Sequence, residues 1–276
     1  MVVSFHPIIK ADQNIICAGR EPGPEDLAAI KQAEAVILSQ GCSEALYRLA
    51  RSNCAHIFPN IDTRFDYPGK RGQIQLFARL GLDHPPTECF DSVARFYASS
   101  YCPAFPAVVK LDWGGQGETV FEVRHSRDLS AVLNRVRTFE ASGQYGFLIQ
   151  DFIPSGRRAL RVVVIGTHIE SYWRVQPSGD AFGASLATGA YIVQDSAPVL
   201  QREARKAVHD FCGHSALQLA GFDFIFDAHR LADGIRQPLA LEINYFFGRD
   251  GLGGSQAYYQ ILKAQTDAWL KSLSAC

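Results

Sequence analysis

Two short runs near the end of the chain, Gly221-Phe222-Asp223 and Leu241-Glu242-Ile243-Asn244, carry oxygen donors at a spacing that suits a cation. The side-chain period of a strand is two, so Glu242 and Asn244 point to one face. Asp223 on a neighbouring strand would complete an all-oxygen site. Such a set suits Mg²⁺, held through one or two carboxylates together with nucleotide phosphates. A polar edge strand would show the same residues. Glu242 is flanked by Ala240, Leu241 and Ile243, however, and a carboxylate in apolar surroundings needs a partner. A second run, Ala104-Phe105-Pro106-Ala107-Val108-Val109-Lys110, is an apolar strand ending in a lysine. The turn Leu111-Asp112-Trp113-Gly114-Gly115-Gln116-Gly117 follows it. Glycines let the backbone approach phosphate oxygens with its N–H groups free to donate. Lys110 would add a point charge to the same phosphates. A plain hairpin is the alternative.

The elements that must position these residues can be read from periodicity. Strands are expected at Val2 to Phe5, Asn14 to Cys17, Ala35 to Leu38 and His56 to Phe58. Helices lie between them at Pro24 to Ala33, with acids in the first turn, and at Ser43 to Arg51, opened by a serine cap. Short apolar strands alternating with amphipathic helices predict a parallel α/β sheet. Residues 59 to 69 are rich in turn formers and read as a linker. A helix follows from Lys70 to Leu82, then the strand ending at Lys110, a strand from Glu118 to Val123, and a helix capped by Ser126 that runs to Glu140. An antiparallel set is expected from Phe147 to Ile153, Leu160 to Gly166 and His168 to Val175. A helix from Val199 to Leu219 precedes strands at Phe222 to Asp227 and Pro238 to Tyr245.

Composition narrows the class. With 276 residues, 27 Lys+Arg, 28 Asp+Glu and 47% apolar residues, the chain has ordinary globular usage and almost no net charge. That balance argues against bulk nucleic acid or an anionic membrane surface as partner, and no Lys/Arg stripe with interleaved aromatics is present. No apolar run reaches the roughly 20 residues needed to cross a bilayer. The first residues alternate too early for a signal peptide, so a soluble, cytoplasmic protein is expected. The seven cysteines contain no C-x-x-C pair and read as reduced core residues. His209, Cys212 and His214 resemble a metal cluster only at first sight: His209 and Cys212 share a helix face, and His214 need not. Neither G-x-G-x-x-G after the first strand nor a P-loop is found.

Taken in order, these segments resemble the ATP-grasp superfamily, and within it the ligases that modify ribosomal protein S6 and make glutathione. The resemblance runs over about residues 66 to 254. It rests on Gly69-Lys70, Pro86-Thr87, Pro106-x-Val108-Val109-Lys110, Gly114-Gly115-Gln116-Gly117 and Gln150-Asp151-Phe152-Ile153. It continues through Arg161-Val162-Val163-Val164-Ile165-Gly166, Gly221-Phe222-Asp223 and Leu241-Glu242-Ile243-Asn244. The resemblance implies an α/β (α+β) ATP-grasp fold preceded by a small N-terminal parallel α/β domain. Residues 1–65 would be that domain, 66–147 a lid subdomain, and 148–276 a C-terminal subdomain with the metal site.

The resemblance also assigns roles. Lys70 and Lys110 would hold ATP phosphates, with Gly114, Gly115 and Gly117 in a mobile hairpin above them. Gln150, Asp151, Phe152 and Ile153 would form the hinge that reads the adenine edge. Asp223, Glu242 and Asn244 would bind Mg²⁺. Arg161 and Arg174 would neutralise the transferring phosphoryl group or an acyl phosphate. The implied activity is ATP-dependent joining of a small-molecule or peptide carboxylate to an amine or thiol. A non-catalytic ATP-binding protein and an ATP-grasp kinase are the rivals. Three departures from the family pattern stand out. Ala159 occupies a place where relatives keep an acid for ribose. Gly183-Ala184-Ser185 replaces a segment that usually ends in Arg-Ser-Asn. Tyr245-Phe246-Phe247-Gly248-Arg249 replaces a small residue and Pro-Gly, which suggests an unusual substrate pocket.

Overall fold

The computed structural model describes residues 1–114, 118–177 and 182–274. The first sheet joins β1 (Val2–Ser4), β2 (Gln13–Asn14), β3 (Ala35–Ile37) and β4 (Ile57–Phe58) in the order β2-β1-β3-β4, all parallel. Helices α1 (Pro24–Gln32) and α2 (Glu44–Asn53) make the crossovers, as parallel pairing requires. Ser43 caps α2, its Oγ accepting from the Leu46 N–H at 3.2 Å.

The segment read as a linker contains a short helix, α3 (Asp62–Asp66). Its stability comes from outside: the Tyr47 hydroxyl donates to Asp62 Oδ1 at 2.9 Å and accepts from the Ile61 N–H at 2.9 Å. Next comes α4 (Gly69–Leu80), which ends in a left-handed Gly81 as a helix C-terminus favours.

The second sheet has the order β5-β8-β6-β7 and is antiparallel: β5 (Thr87–Phe90), β6 (Ala107–Leu111), β7 (Val120–Val123) and β8 (Phe147–Asp151). Leu148 to Asp151 thus pair within this sheet, beyond the boundary expected at residue 147. Helices α5 (Val93–Ala98) and α6 (Ser126–Ala141) cover one face, enclosing a core of Phe90, Val109, Leu111, Leu133 and Phe147. The residue before α6 is His125 and Ser126 is already helical; Asp128 Oδ2 takes the Arg124 N–H at 3.0 Å in place of a serine cap.

The third sheet, β11-β10-β9-β12-β13, comprises β9 (Arg158–Ile165), β10 (His168–Val175), β11 (Tyr191–Val193), β12 (Leu219–Ile225) and β13 (Leu239–Asn244). Its pairings are antiparallel. The face away from the site packs under α7 (Pro198–Ser215). A short α8 (Ala228–Ala232) joins β12 to β13, and α9 (Gly254–Leu273) closes the chain. Contrary to the expected helix from Val199 to Leu219, α7 stops at Ser215, and Leu219 begins a strand. Along α7, His209 is exposed while burial lifts the Cys212 thiol to about 12, and among the described residues no group of three or more His, Cys, Asp or Glu is placed to hold a metal. Among the described residues six cysteines are free, three of them (Cys17, Cys42 and Cys54) buried. Among the described residues no helix is long and apolar enough to cross a membrane.

Candidate nucleotide and metal site

A cavity of about 920 Å³ lies between the second and third sheets. Strand alternation fills it. On β6, Val108 and Lys110 face the cavity while Val109 and Leu111 enter the core. Lys110 is only 7% exposed, and its ammonium has no hydrogen-bond partner among the described residues. Burial pulls its pKa down to about 8; Lys70 lowers it further, against the opposing pull of Glu242 and Asp223. Lys70, 8% exposed and likewise lowered by burial, extends from the first turn of α4. Its Nζ donates to the carbonyls of Trp113 at 3.2 Å and Gly114 at 3.0 Å.

Gly114 therefore serves by its carbonyl, outside the cavity wall, and Gly115 and Gly117 lie outside the described residues. Gly69 is required by the same corner. Its φ is +71°, and a Cβ there would stand 2.5 Å from Asp112 Oδ1, the atom that accepts the Arg71 N–H at the start of α4. Trp113 is half-buried against Phe139, at 5.6 Å between ring centroids.

One end of the cavity is apolar. Val108, Phe152, Ile153, Ala159, Ile225 and Leu241 line it, and Phe182 lies 6.3 Å from the Phe152 ring at 36°. Gln150 is fixed by its Nε2, which donates to Thr87 Oγ1 at 2.9 Å, and the Asp151 N–H is taken by Pro86 O at 2.9 Å. Beyond Asp151 the backbone leaves the sheet. Among the described residues, Phe152 and Ile153 have no main-chain partner, which leaves a donor–acceptor edge facing the apolar end.

At the other end, four strands contribute one lateral row: Tyr172 opposite Arg161, Arg161 opposite Asp223, and Asp223 opposite Glu242. Arg161 donates to Asp223 through Nε at 2.5 Å and Nη2 at 2.9 Å, and Arg174 Nη2 donates to the same carboxylate at 2.7 Å. Burial alone would raise Asp223, but the two guanidinium charges and their hydrogen bonds outweigh it and hold the carboxyl at about 2. Among the described residues, the Nε of Arg174 is buried with no partner. Gly221 makes room for Arg161: a Cβ there would come within 3.0 Å of Arg161 Cδ and 3.2 Å of Phe247 Cβ.

Asn244 Nδ2 bridges the two acids, at 3.1 Å from Asp223 Oδ2 and 3.1 Å from Glu242 Oε1. A bulge between Asp223 and Phe224 in the β12–β13 register places Leu241 as the extra residue, and bulges re-aim side chains at such sites. In donor type, Glu242, Asn244 and Asp223 fit a hard divalent cation. Glu242 and the Asn244 carbonyl are the more available donors, since Asp223 is engaged by both arginines.

Of the residues singled out in the sequence, Lys70, Lys110, Gln150, Asp151, Phe152, Ile153, Arg161, Arg174, Asp223, Glu242 and Asn244 all border this one cavity. Sequence reasoning missed Glu122, Arg124, Arg157 and Arg158, which border it too. The basic pair after the Pro154-Ser155-Gly156 turn was the available signal.

Comparison with solved structures shows the fold at low identity. An ADP complex of N5-carboxyaminoimidazole ribonucleotide synthetase matches with a TM-score of 0.61 and 10% identity, over 90% of this chain and 64% of that one. The present chain thus spans less than two thirds of that protein's length. The VanG D-Ala:D-Ser ligase from Enterococcus faecalis matches with a TM-score of 0.62 and 12% identity, over 86% and 73%. A RimK domain ATP-grasp protein from Sphaerobacter thermophilus matches with a TM-score of 0.58 and 13% identity, over 96% and 98%. Among curated proteins, none matches the sequence significantly. The RimK-like ATP-grasp domain, as a sequence family, matches residues 70–255, more than half of the chain. This chain belongs to the RimK-like ATP-grasp family.

Proposed function

We propose that the chain is an ATP- and Mg²⁺-dependent ligase that joins a carboxylate to an amine through an acyl phosphate. The observation that carries this reading is the partnerless ammonium of Lys110 on the wall of a cavity that also holds Lys70 and an acidic row. A buried cation without a hydrogen-bond partner is costly. Phosphate oxygens would supply the missing partner. The base would enter the apolar end beside Phe152 and Phe182 and meet the open backbone edge of Phe152 and Ile153.

A substrate carboxylate would attack the terminal phosphorus, with ADP leaving. The amine would then attack the acyl carbon, with phosphate leaving and the amine giving up a proton. Phosphoryl transfer needs positioning and charge neutralisation more than covalent help from protein. Lys70 and Lys110 would hold the phosphates. Arg161 is fixed in its rotamer by Asp223, and Arg174 carries an unused buried donor, so both suit the charge that develops on the transferring group. Glu242 and Asn244, with Asp223, would hold the cation, whose contribution is to neutralise phosphate charge.

The second sheet would serve as the lid, and its closure would exclude water from the acyl phosphate. A test is to incubate the protein with ATP, Mg²⁺, hydroxylamine and a panel of carboxylates. The reading expects an ATP-dependent hydroxamate from at least one of them; a phosphorylated product without hydroxamate points to a kinase. A second reading, nucleotide binding without turnover, is favoured by the engagement of both Asp223 oxygens with arginine. It expects tight ATP binding and no ADP release with any carboxylate. We place the protein in the cytoplasm, with small-molecule or peptide substrates and without nucleic-acid or membrane partners.

A further inference from the structure

Tyr172 stands at the end of the lateral row, on the side of Arg161 away from Glu242. It is only 2% exposed, yet it lines the cavity with Arg161, Arg174 and Asp223. Tyr172 and Arg174 are two residues apart on β10 and so face the same way. Among the described residues, the Tyr172 hydroxyl has no hydrogen-bond partner. A buried phenol ordinarily has one.

The adjoining members of the row do not supply an acceptor. Each oxygen of Asp223 is taken twice: Oδ1 by Arg161 Nε at 2.5 Å and Arg174 Nη2 at 2.7 Å, Oδ2 by Arg161 Nη2 at 2.9 Å and Asn244 Nδ2 at 3.1 Å. Arg161 and Arg174 are donors only. Burial raises the pKa of the phenol, and Asp223 and Asp250 act the same way against the pull of the two arginines. The hydroxyl therefore keeps its proton at neutral pH.

The ring is fixed in place. Gly251, in the turn Asp250–Leu252, packs against it so closely that a Cβ there would overlap the phenol end of the ring. The Gly251 carbonyl accepts from Gln194 Nε2 at 2.7 Å. Gln201 on α7 donates through Nε2 to Gln194 O at 2.6 Å, and its Oε1 accepts from the Ser171 hydroxyl at 2.7 Å. These bonds run from the turn through the helix to the residue before Tyr172. The phenol is thus a donor with little rotamer freedom left to lose on binding.

We infer that the Tyr172 hydroxyl donates a hydrogen bond to an oxygen of the terminal phosphoryl group of the nucleotide, as a further donor beside Arg161 and the unpaired Nε of Arg174. This inference rests on the nucleotide site of the ligase reading above. Residues directly opposite on neighbouring strands have adjacent side chains, so an oxygen that meets Arg161 is within reach of the phenol too. A hydrogen bond to a charged oxygen is of the stronger kind. The phenol keeps its proton throughout, since phosphoryl transfer needs positioned donors here and no reacting side chain. ADP lacks the terminal group, so the contact separates triphosphate from diphosphate.

The test titrates the full chain by calorimetry with Mg²⁺-ADP and with the Mg²⁺ complex of AMPPNP, the imido analogue of ATP. Tyr172→Phe keeps the ring on Gly251 and removes only the hydroxyl. It should weaken AMPPNP by about fivefold or more and leave ADP within about twofold. In wild-type chain carrying 3-fluorotyrosine, the fluorine resonance that Tyr172→Phe deletes should move when AMPPNP replaces ADP. Unchanged AMPPNP affinity in Tyr172→Phe, equal loss for both nucleotides, or a resonance that is the same with both would each overturn the assignment. In those outcomes wild type still binds nucleotide and the ligase reading stands; wild type that binds neither nucleotide contradicts that reading and the Tyr172 contact together.

Discussion

Gln73 grips Ile243 by both of its backbone polar groups: the Ile243 N–H donates to Gln73 Oε1 at 2.7 Å, and Gln73 Nε2 donates to the Ile243 carbonyl at 2.9 Å. Ile243 lies on the edge strand of the third sheet, between Glu242 and Asn244. The outward main-chain groups of that edge are taken one by one. The Ala240 N–H donates to Asp83 O at 2.7 Å, Ile243 pairs with Gln73, and Tyr245 O accepts from Gln40 at 2.8 Å. The outward phase is even at Ala240 and odd at Ile243 and Tyr245, because the extra residue of the bulge intervenes. Since α4 carries both Lys70 and Gln73, one helix fixes a phosphate lysine and the strand of the acidic pair.

Replacing Gln73 by Met should leave two main-chain groups unpaired, at a cost of about 1–3 kcal/mol. The urea midpoint should fall. The Mg²⁺ concentration giving half-maximal stabilisation by ATP should also rise, because Glu242 and Asn244 lose their fixed strand. Lost stability with an unchanged Mg²⁺ requirement would confine Gln73 to architecture.

Lys110 should take up a proton when nucleotide binds. Its pKa of about 8 lies below that of a free lysine because burial penalises the charged form, so near pH 8 about half the molecules carry a neutral amine. Phosphate beside it would favour the charged form. Calorimetry in buffers of different ionisation enthalpy at that pH should therefore show uptake of about half a proton per ATP. Lys110→Met should bind ATP weakly and show no such uptake. The sign for folding is also fixed: the unfolded chain keeps this proton to higher pH, so Lys110 makes stability rise between about pH 8 and the free-lysine value.

Asp223 acts in the opposite range. Its carboxyl is held at about 2 by Arg161 and Arg174 against the effect of burial. The stability it contributes is complete above an unfolded carboxylate's pKa of about 3.9 and is lost as pH falls through about 2. Asp223→Asn should remove that part of the acid limb. At neutral pH it should cost about 3–5 kcal/mol, since two buried guanidinium groups lose their partner. Urea unfolding followed from neutral to acid pH measures both effects.

Gly221→Ala tests the packing beneath Arg161. The added methyl would meet Arg161 Cδ at 3.0 Å and Phe247 Cβ at 3.2 Å, so one of them must shift. A loss of about 1–3 kcal/mol is expected from the overpacking. It should be seen as a lower thermal midpoint, and ATP affinity should fall as Arg161 leaves its place opposite Asp223.

The residues around the cavity were legible because strand alternation and motif order carry them. Lys110, Asp223, Glu242 and Asn244 sit where a period of two puts them, and Gln150 to Ile153 lie at a strand end. Other features depend on contacts distant in sequence. Gln73 meets Ile243 across 170 residues, and nothing in the helical pattern around it marks that role. The helix α3 is short and held by Tyr47, so its turn-forming residues read as linker. No glycine follows α7: Ala216 takes the left-handed conformation at φ +55°, and the usual stop signal was absent. The strand β5 and the helix α5 lie in a segment of mixed polarity where alternation is weak, with two of the four β5 residues exposed.

The most direct measurement is thermal unfolding of the wild-type protein and Glu242→Gln, with and without ATP and Mg²⁺. Nucleotide at about a hundredfold over its dissociation constant stabilises by about 2.7 kcal/mol. In a chain of this size each kcal/mol raises the midpoint by about 2–4 °C. The account predicts a Mg²⁺-dependent rise of several degrees in wild type that is reduced in Glu242→Gln. An unchanged wild-type midpoint at millimolar Mg²⁺-ATP would contradict it.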